Sequence, residues 1–381
     1  MMLIFLVISL LLLLCDSYII FGVLSASSWW IKSLIAILAI AYIAVVFLTL
    51  TAKDIRQGML NLVFWLTLCI FIPSLLFTII SLVGKGLGIA FPSVVKIVNY
   101  MAAVIAVSWI GISIYGILYG WKKITVERVI VKSPKIPKSF DGYRIVQLSD
   151  FHIGTYAESP GCVKRIVETV NSLNPDLIVF TGDLVNSSPQ EIVGFESVLT
   201  QLRAKEGVYS VLGNHDYCLY RQYYGDNTPE KELIKLIETE KRIGWKMLRN
   251  SSVSIKAGSD SIALIGVDNA GSRGFIDRSD LNKAVQGLPA DGFKVLLSHD
   301  PSHWRREVLP KSDIDLMLAG HTHAMQFKLF GWSPSCWTYR EWGGLYEDNG
   351  RKLYVSTGIG ENIAFRFGAW PQIVLITLNN E

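Results

Sequence analysis

Charge is scarce in this sequence: 18% of its 381 residues are Asp, Glu, Lys or Arg, against about a quarter in an ordinary soluble domain. The deficit is local. Residues 1–121 carry seven charged side chains, Asp16, Lys32, Lys53, Asp54, Arg56, Lys85 and Lys96. That leaves 31 of the 36 basic and 30 of the 32 acidic residues to 122–381, a balanced globular composition. Such a split excludes a single soluble domain, a disordered chain and a fibrous repeat. No basic block concentrates the net charge of +4, which argues against a dedicated nucleic-acid binder. Cysteine is sparse as well. Cys15, Cys69, Cys162, Cys218 and Cys336 are odd in number and form no C-x-x-C pair. That excludes a zinc ribbon or a disulfide framework and fits a reducing compartment.

What the first third has instead is apolar length. A bilayer crossing needs about 20 helical residues, and four stretches supply them: Met2–Leu24, Ile31–Leu50, Leu60–Val83 and Ile97–Gly120. The first is read as a retained span, because no basic segment precedes it and three more spans follow. Trp29, Trp30, Tyr100 and Trp121 fall near span ends, where amphipathic rings favour the headgroup layer. Lys53, Arg56, Lys122, Lys123 and Arg128 share one side, against Lys32, Lys85 and Lys96 on the other. Five against three places the C-terminal part in the cytoplasm, in a multi-pass protein of the cell membrane. Asp16 is the acidic residue inside a span. Two readings stand: a proton or polar-ligand site, or a carboxylate hydrogen-bonded to a hydroxyl such as that of Ser17.

Beyond a basic, Pro-containing connector at 122–142, with an edge-strand-like Thr125–Val131, the pattern becomes repeated strand–loop–helix. Apolar runs at 143–149, 177–181, 208–212, 294–298 and 315–319 are short enough for buried strands. Leu353–Thr357 and Ile373–Leu378 add more strand, and Val163–Leu173, Glu191–Leu202 and Glu230–Lys241 read as helices. Alternation of this kind predicts a layered α/β domain over 143–381.

Each of the five runs ends in a polar cluster: Asp150-Phe151-His152, Gly182-Asp183, Gly213-Asn214-His215-Asp216, His299-Asp300 and Gly320-His321-Thr322-His323. Ligand sites in open α/β sheets form outside the carboxyl ends of strands, so the five clusters can converge. Of the six histidines in the chain, only His303 lies outside them. Asp, His and Asn make a mixed oxygen and nitrogen shell that suits Mn²⁺, Fe or Zn²⁺ rather than a thiolate-seeking metal.

In this order, D-x-H, G-D, G-N-H-D, H and G-H-x-H resemble the calcineurin-like metallophosphoesterase superfamily over residues 140–378. The four-span front and Gly358-Ile359-Gly360 resemble its membrane-tethered branch. One departure is Ala324-Met325, where that branch commonly has two glycines. The resemblance implies an αββα sandwich of two mixed β-sheets flanked by helices, behind a four-helix transmembrane region at 1–121. It also implies two divalent metal ions, Mn first, with Fe or Zn as alternatives. Asp150, His152 and His323 would hold one ion, Asn214, His299 and His321 the other, and Asp183 would bridge them through its two oxygens. The nucleophile would be a metal-bridging hydroxide. His215 would serve the leaving group, and Asp216 would orient its imidazole; an N-cap for the following turn is the equal alternative for Asp216.

Around this set, Asp300 and His303 read as supporting or surface residues and Cys218 as a bystander. Residues 325–346 carry Phe327, Phe330, Trp332, Trp337, Tyr339, Trp342 and Tyr346. They form either an apolar lip for the membrane or an acyl chain, or a hairpin packed on its own sheet. Phe365, Arg366 and Phe367, with Trp304, Arg305 and Arg306, are candidates for that lip and for an anion clamp. The functional expectation is a membrane-anchored phosphoesterase acting on a phosphate ester or pyrophosphate, with a lipid-linked substrate at the bilayer surface among the candidates. A non-catalytic receptor or scaffold for a phosphorylated ligand, and a nuclease, are the alternatives. The first would show erosion of the bridging Asp or of the leaving-group His, and Asp183 and His215 are both present.

Overall fold

The computed structural model describes residues 2–52, 57–157, 159–223 and 225–381. Lys53 and Arg56, two of the charges used to orient the chain, lie outside the described residues. The chain forms two compact units, Met1–Gly120 with Ile363–Phe365, and Trp121–Asn362 with Arg366–Glu381.

In the first unit, the helices long and apolar enough to cross a membrane are Leu3–Val23, Trp29–Thr51, Gly58–Gly88 and Pro92–Lys122. They match the four expected spans. Leu12, Ala39, Tyr42, Val46, Val63 and Phe71 pack at its centre. Asp16 is buried, and the hydroxyl set against its carboxylate is that of Ser74 rather than Ser17. Polar contacts within the unit include Tyr18 to Ser81 (3.0 Å), Ser81 to Asn99 (2.6 Å) and Tyr42 to Thr67 (3.2 Å).

The second unit takes in residues 122–142, the expected connector, and the edge-strand-like segment expected within them is an edge strand. Thr125–Lys132 forms strand β1, and Val131, Ile136 and Phe140 are fully buried in the domain core. The remaining strands are β2 (Arg144–Leu148), β3 (Leu177–Phe180), β4 (Val208–Ser210), β5 (Lys246–Met247), β6 (Ser251–Ala257) and β7 (Asp260–Gly266). After them come β8 (Lys294–Leu297), β9 (Leu316–Ala319), β10 (Gly344–Asp348), β11 (Arg351–Val355) and β12 (Gln372–Asn379). They make two mixed six-stranded sheets, ordered β1-β12-β2-β3-β4-β5 and β10-β11-β9-β8-β7-β6. The expected two-sheet sandwich is therefore present.

The alternation of side chains explains the continuous apolar runs. Leu264, Val295, Leu297, Leu316 and Leu318 face Ile145, Leu177, Val179 and Val211 in the core between the sheets. Their neighbours Ile265, Leu296, Met317 and Ala319 face outward, onto Trp304, Val308 and Leu281. A strand buried on both faces has no polar side to show. The predicted helices at 163–173 and 230–241 occur as Pro160–Ser172 and Pro229–Arg242. The one at 191–202 does not hold together. Gly194 sits at φ 91°, outside the helical region, and splits it into Pro189–Ile192 and Glu196–Leu199.

Candidate metal centre

The polar clusters follow β2, β3, β4, β8 and β9, and within each sheet these strands run parallel, so their carboxyl ends lie together. The turns are tight. Asp150, His152, Asp183, His321 and His323 all adopt positive φ, between 43° and 72°, a conformation that costs a non-glycine residue roughly 1–2 kcal/mol. Two glycines permit the close approach. A Cβ on Gly213 would lie 2.2 Å from Asp183 Oδ1, and one on Gly320 would lie 2.1 Å from Asp150 Oδ2.

Three groups of donors result: Asp150, His152 and His323; His152, Asp183 and His215; and Asp183, His299 and His321. Within each group the ligand atoms lie within 4.8 Å of one another. His152 Nε2 is 3.2 Å from His323 Nε2, and His299 Nε2 is 3.2 Å from His321 Nδ1. Asp183 belongs to two of the groups. Its Oδ2 faces both His299 Nε2 (3.1 Å) and His152 Nε2 (3.7 Å), while Oδ1 accepts the His215 backbone N–H at 2.8 Å. Asn214, after β4, has its Oδ1 buried without a hydrogen-bond partner, while Nδ2 donates to Tyr220. An orphaned buried acceptor costs about 1–3 kcal/mol, and a cation would satisfy it. Nitrogen and oxygen donors in this arrangement fit two divalent metal ions.

Electrostatics favour metal-binding forms on one side of the site. Burial holds His152 and His323 well below the usual imidazole pKa, reinforced by His215 for the first and by Arg366 for the second. Burial lowers His321 too. Burial would also lower His299, but the Asp183 and Asp150 carboxylates overcome it and raise its pKa to about 10. Thr181 O accepts from His299 Nδ1 at 2.8 Å, which aims Nε2 at the site.

His215 stands at the edge of the set. Its Nδ1 donates to the Asn186 carbonyl at 2.6 Å, and its ring lies between His152 and Tyr220. The expected Asp216–imidazole contact is absent. Asp216 is fully buried and accepts the backbone N–H groups of Asp183, Leu184 and Gly213, each at 2.8 Å. It laces the β3 and β4 loops together because backbone amides at two tight turns have no other partner. Burial and the Asp183 charge push its carboxyl up to about 7.

The expected anion clamp is not formed by Arg366, Arg305 or Arg306. Arg366 is fully buried and directs its donors to Glu361 and to backbone carbonyls of Thr357, Ala369 and Gly360. Arg305 pairs with Glu341, and Arg306 with Asp277. Trp304 is core. His303 is buried and bonded to Ser298 rather than exposed. The aromatic segment divides: Phe327 and Tyr339 are buried, Trp342 and Tyr346 half-buried, and Phe330 (99% exposed), Trp337 (77%) and Trp332 (42%) face outward. Sequence reasoning missed Tyr339, whose hydroxyl lies 2.8 Å from His321 Nε2, and also Asn186 and Tyr220. None of these carries a local motif.

Comparison with known proteins agrees with this geometry. Residues 143–325 match the family model of calcineurin-like phosphoesterases. A transmembrane protein with metallophosphoesterase domain from Danio rerio is 33% identical over 56% of this chain and 48% of its own length. The one from Bos taurus is 31% identical over 70% of this chain and 60% of its own length. The chain thus spans about half to three-fifths of these relatives. YkuE, an uncharacterized metallophosphoesterase of Bacillus subtilis, is 31% identical over 67% of this chain and 85% of its own length. With its ligand-bearing loops inside the matched segment, the chain belongs to the calcineurin-like phosphoesterase family.

Proposed function

We propose that the protein is a membrane-anchored, binuclear metal-dependent phosphoesterase that hydrolyses a phosphate ester or a pyrophosphate. The observation that carries this reading is the position of Asp183 Oδ2, shared between His299 and His152 at the junction of two donor groups. Two divalent ions, Mn²⁺ first among the choices, would clamp the phosphoryl oxygens there and lower the pKa of an attacking water shared between them. The protein's own groups supply the rest. The Nδ1–H bond to Asn186 O fixes the His215 ring, so that Nε2, which Asn362 Nδ2 approaches at 3.3 Å, is the atom that would serve the departing oxygen. Asp216 fixes the backbone from which Asp183 and His215 project.

A lipid-linked substrate is supported by the outward Phe330 and Trp337, which follow His323 along the chain, and by the four apolar helices. The loop charges support a cytoplasmic domain in the cell membrane. Cys336, an exposed thiol of the domain, reports on that placement. An impermeant maleimide should leave it unlabelled in intact cells and label it after lysis, with Cys336→Ser as the control. The activity is tested by stripping the full-length protein with chelator and assaying bis(p-nitrophenyl) phosphate with single metals restored. Turnover that returns with Mn²⁺ is expected; no turnover with any divalent ion would remove the reading.

A further inference from the structure

The loop between β7 and the short helix Leu281–Val285 is unusually well fixed for a surface segment. Arg306 donates to the carbonyls of Gly271 (2.8 Å) and Ala270 (3.0 Å) and pairs with Asp277. Asp300, next to the ligand His299, accepts both the N–H and the hydroxyl of Ser272 at 3.2 Å. Ala270 and Asp277 form a bridge, and Phe275 N donates to Ser272 O at 3.0 Å. Two residues that the catalytic reading leaves without a role, Asp300 and Arg306, thus hold this loop.

What the loop presents is a cation beside the metal centre. Arg273 and Gly274 both have positive φ, 53° and 93°, the central pair of a primed turn. Phe275 meets the ring of His321 edge-on at 4.8 Å. The Arg273 guanidinium lies 5.5 Å from the ring centre of Tyr339, the residue whose hydroxyl contacts His321. Arg273 is exposed and has no ion pair or hydrogen bond among the described residues. Left-handed backbone at an arginine costs about 1–3 kcal/mol, and the two buttresses hold it there with the guanidinium open to solvent and to an arriving anion.

We propose that Arg273 binds a second phosphate of the substrate, next to the one that is cleaved, so that the substrate class is a diphosphate ester. This rests on the phosphoesterase reading. The cleaved phosphoryl group belongs to the donors around Asp183, whereas the guanidinium stands off against Tyr339, outside that set. Its planar fork matches the oxygens of a phosphate in a two-point contact.

The test uses the full-length protein with Mn²⁺ and two p-nitrophenyl substrates that differ by one phosphate: an alkyl p-nitrophenyl phosphate and the corresponding diphosphate ester. The wild type should prefer the diphosphate ester. Arg273→Ala should cut that preference, measured as the ratio of kcat/KM values, by about 10- to 100-fold, the range for a charged hydrogen bond, chiefly through KM. Arg273→Lys, which keeps the charge without the fork, should recover part of it. A ratio unchanged in both variants, or no preference in the wild type, overturns this assignment alone. Absence of metal-dependent turnover of either substrate overturns the phosphoesterase reading together with it.

Discussion

His215 donates through Nδ1 to the backbone carbonyl of Asn186 at 2.6 Å. A carbonyl only accepts, so Nδ1 carries the hydrogen of this bond, and Nε2, 3.3 Å from Asn362 Nδ2, is the ring atom left to serve the leaving group. His215→Ala should therefore keep its metals and lose roughly 10²–10⁴ in rate. The loss should be smaller with p-nitrophenolate, which leaves without protonation, than with an alkoxide. A loss that is equal for both leaving groups would assign His215 to the attack or to the general charge environment. Asp216→Ala should behave differently. It strips three short backbone N–H bonds at 2.8 Å, so its first effect is a lowered melting temperature.

Asp183 tests the metal assignment without reference to turnover. Its Oδ2 faces two histidines of different donor groups. Asp183→Asn halves the acceptor capacity and removes the charge. Elemental analysis of the purified variant should find at least one of two ions missing. Two fully retained ions would place the junction elsewhere.

How far the sequence led can be judged residue by residue. The candidate ligands were legible because strands buried on both faces read as runs such as Leu177–Phe180 and Lys294–Leu297, and the polar residues that follow them fall at the strand ends. Contacts made through space were not. Tyr339 reaches His321 across a loop, and Asn186 offers only its backbone. Thr125–Val131 was legible as an edge strand, but its partner was not. Thr125–Lys132 pairs in parallel with Gln372–Asn379 at the far end of the chain, a register that no local pattern records. Asp216 shows a further limit: a carboxylate next to a histidine in sequence serves backbone amides of another loop in space.

A buried carboxyl away from the metals gives a prediction about pH. Glu240 is fully buried, accepts from Ser210 Oγ at 2.5 Å, and has no partner for Oε1. Burial, helped by Asp216, raises its pKa to about 8 from the usual 4.5. Below 4.5 the group is protonated in folded and unfolded chains alike. Between 4.5 and 8 only the unfolded chain releases its proton, so this group lowers stability as pH rises through that window, and the loss levels off above it. Glu240→Gln removes the effect. Its melting temperature should match the wild type near pH 4.5 and exceed it by a growing margin up to about pH 8. Parallel melting curves across that range would show that Glu240 is ionised in the fold.

The exposed rings give the last prediction. Phe330 is 99% exposed at a turn in which it and Gly331 both have positive φ, and Trp337, 77% exposed, meets Trp332 at 5.3 Å. Rings of this size are expensive to leave in water, since burying one is worth about 1.5–3 kcal/mol. Phe327 and Tyr339, a few residues away, are buried, so the outward set is not held out by lack of a core. In a chain with four membrane-capable helices, a bilayer or a lipid chain is the partner that would recover this cost. The double variant Phe330→Ser, Trp337→Ser should therefore keep its melting temperature, because neither ring is buried. Its KM for a substrate embedded in vesicles should rise at least about 100-fold, since the two rings together are worth about 3–6 kcal/mol. Hydrolysis of soluble bis(p-nitrophenyl) phosphate should change far less, since the metal ligands and His215 are intact. Equal loss on both substrates with a lowered melting temperature would make the rings structural; unchanged activity on both would leave the lipid-linked substrate without its support.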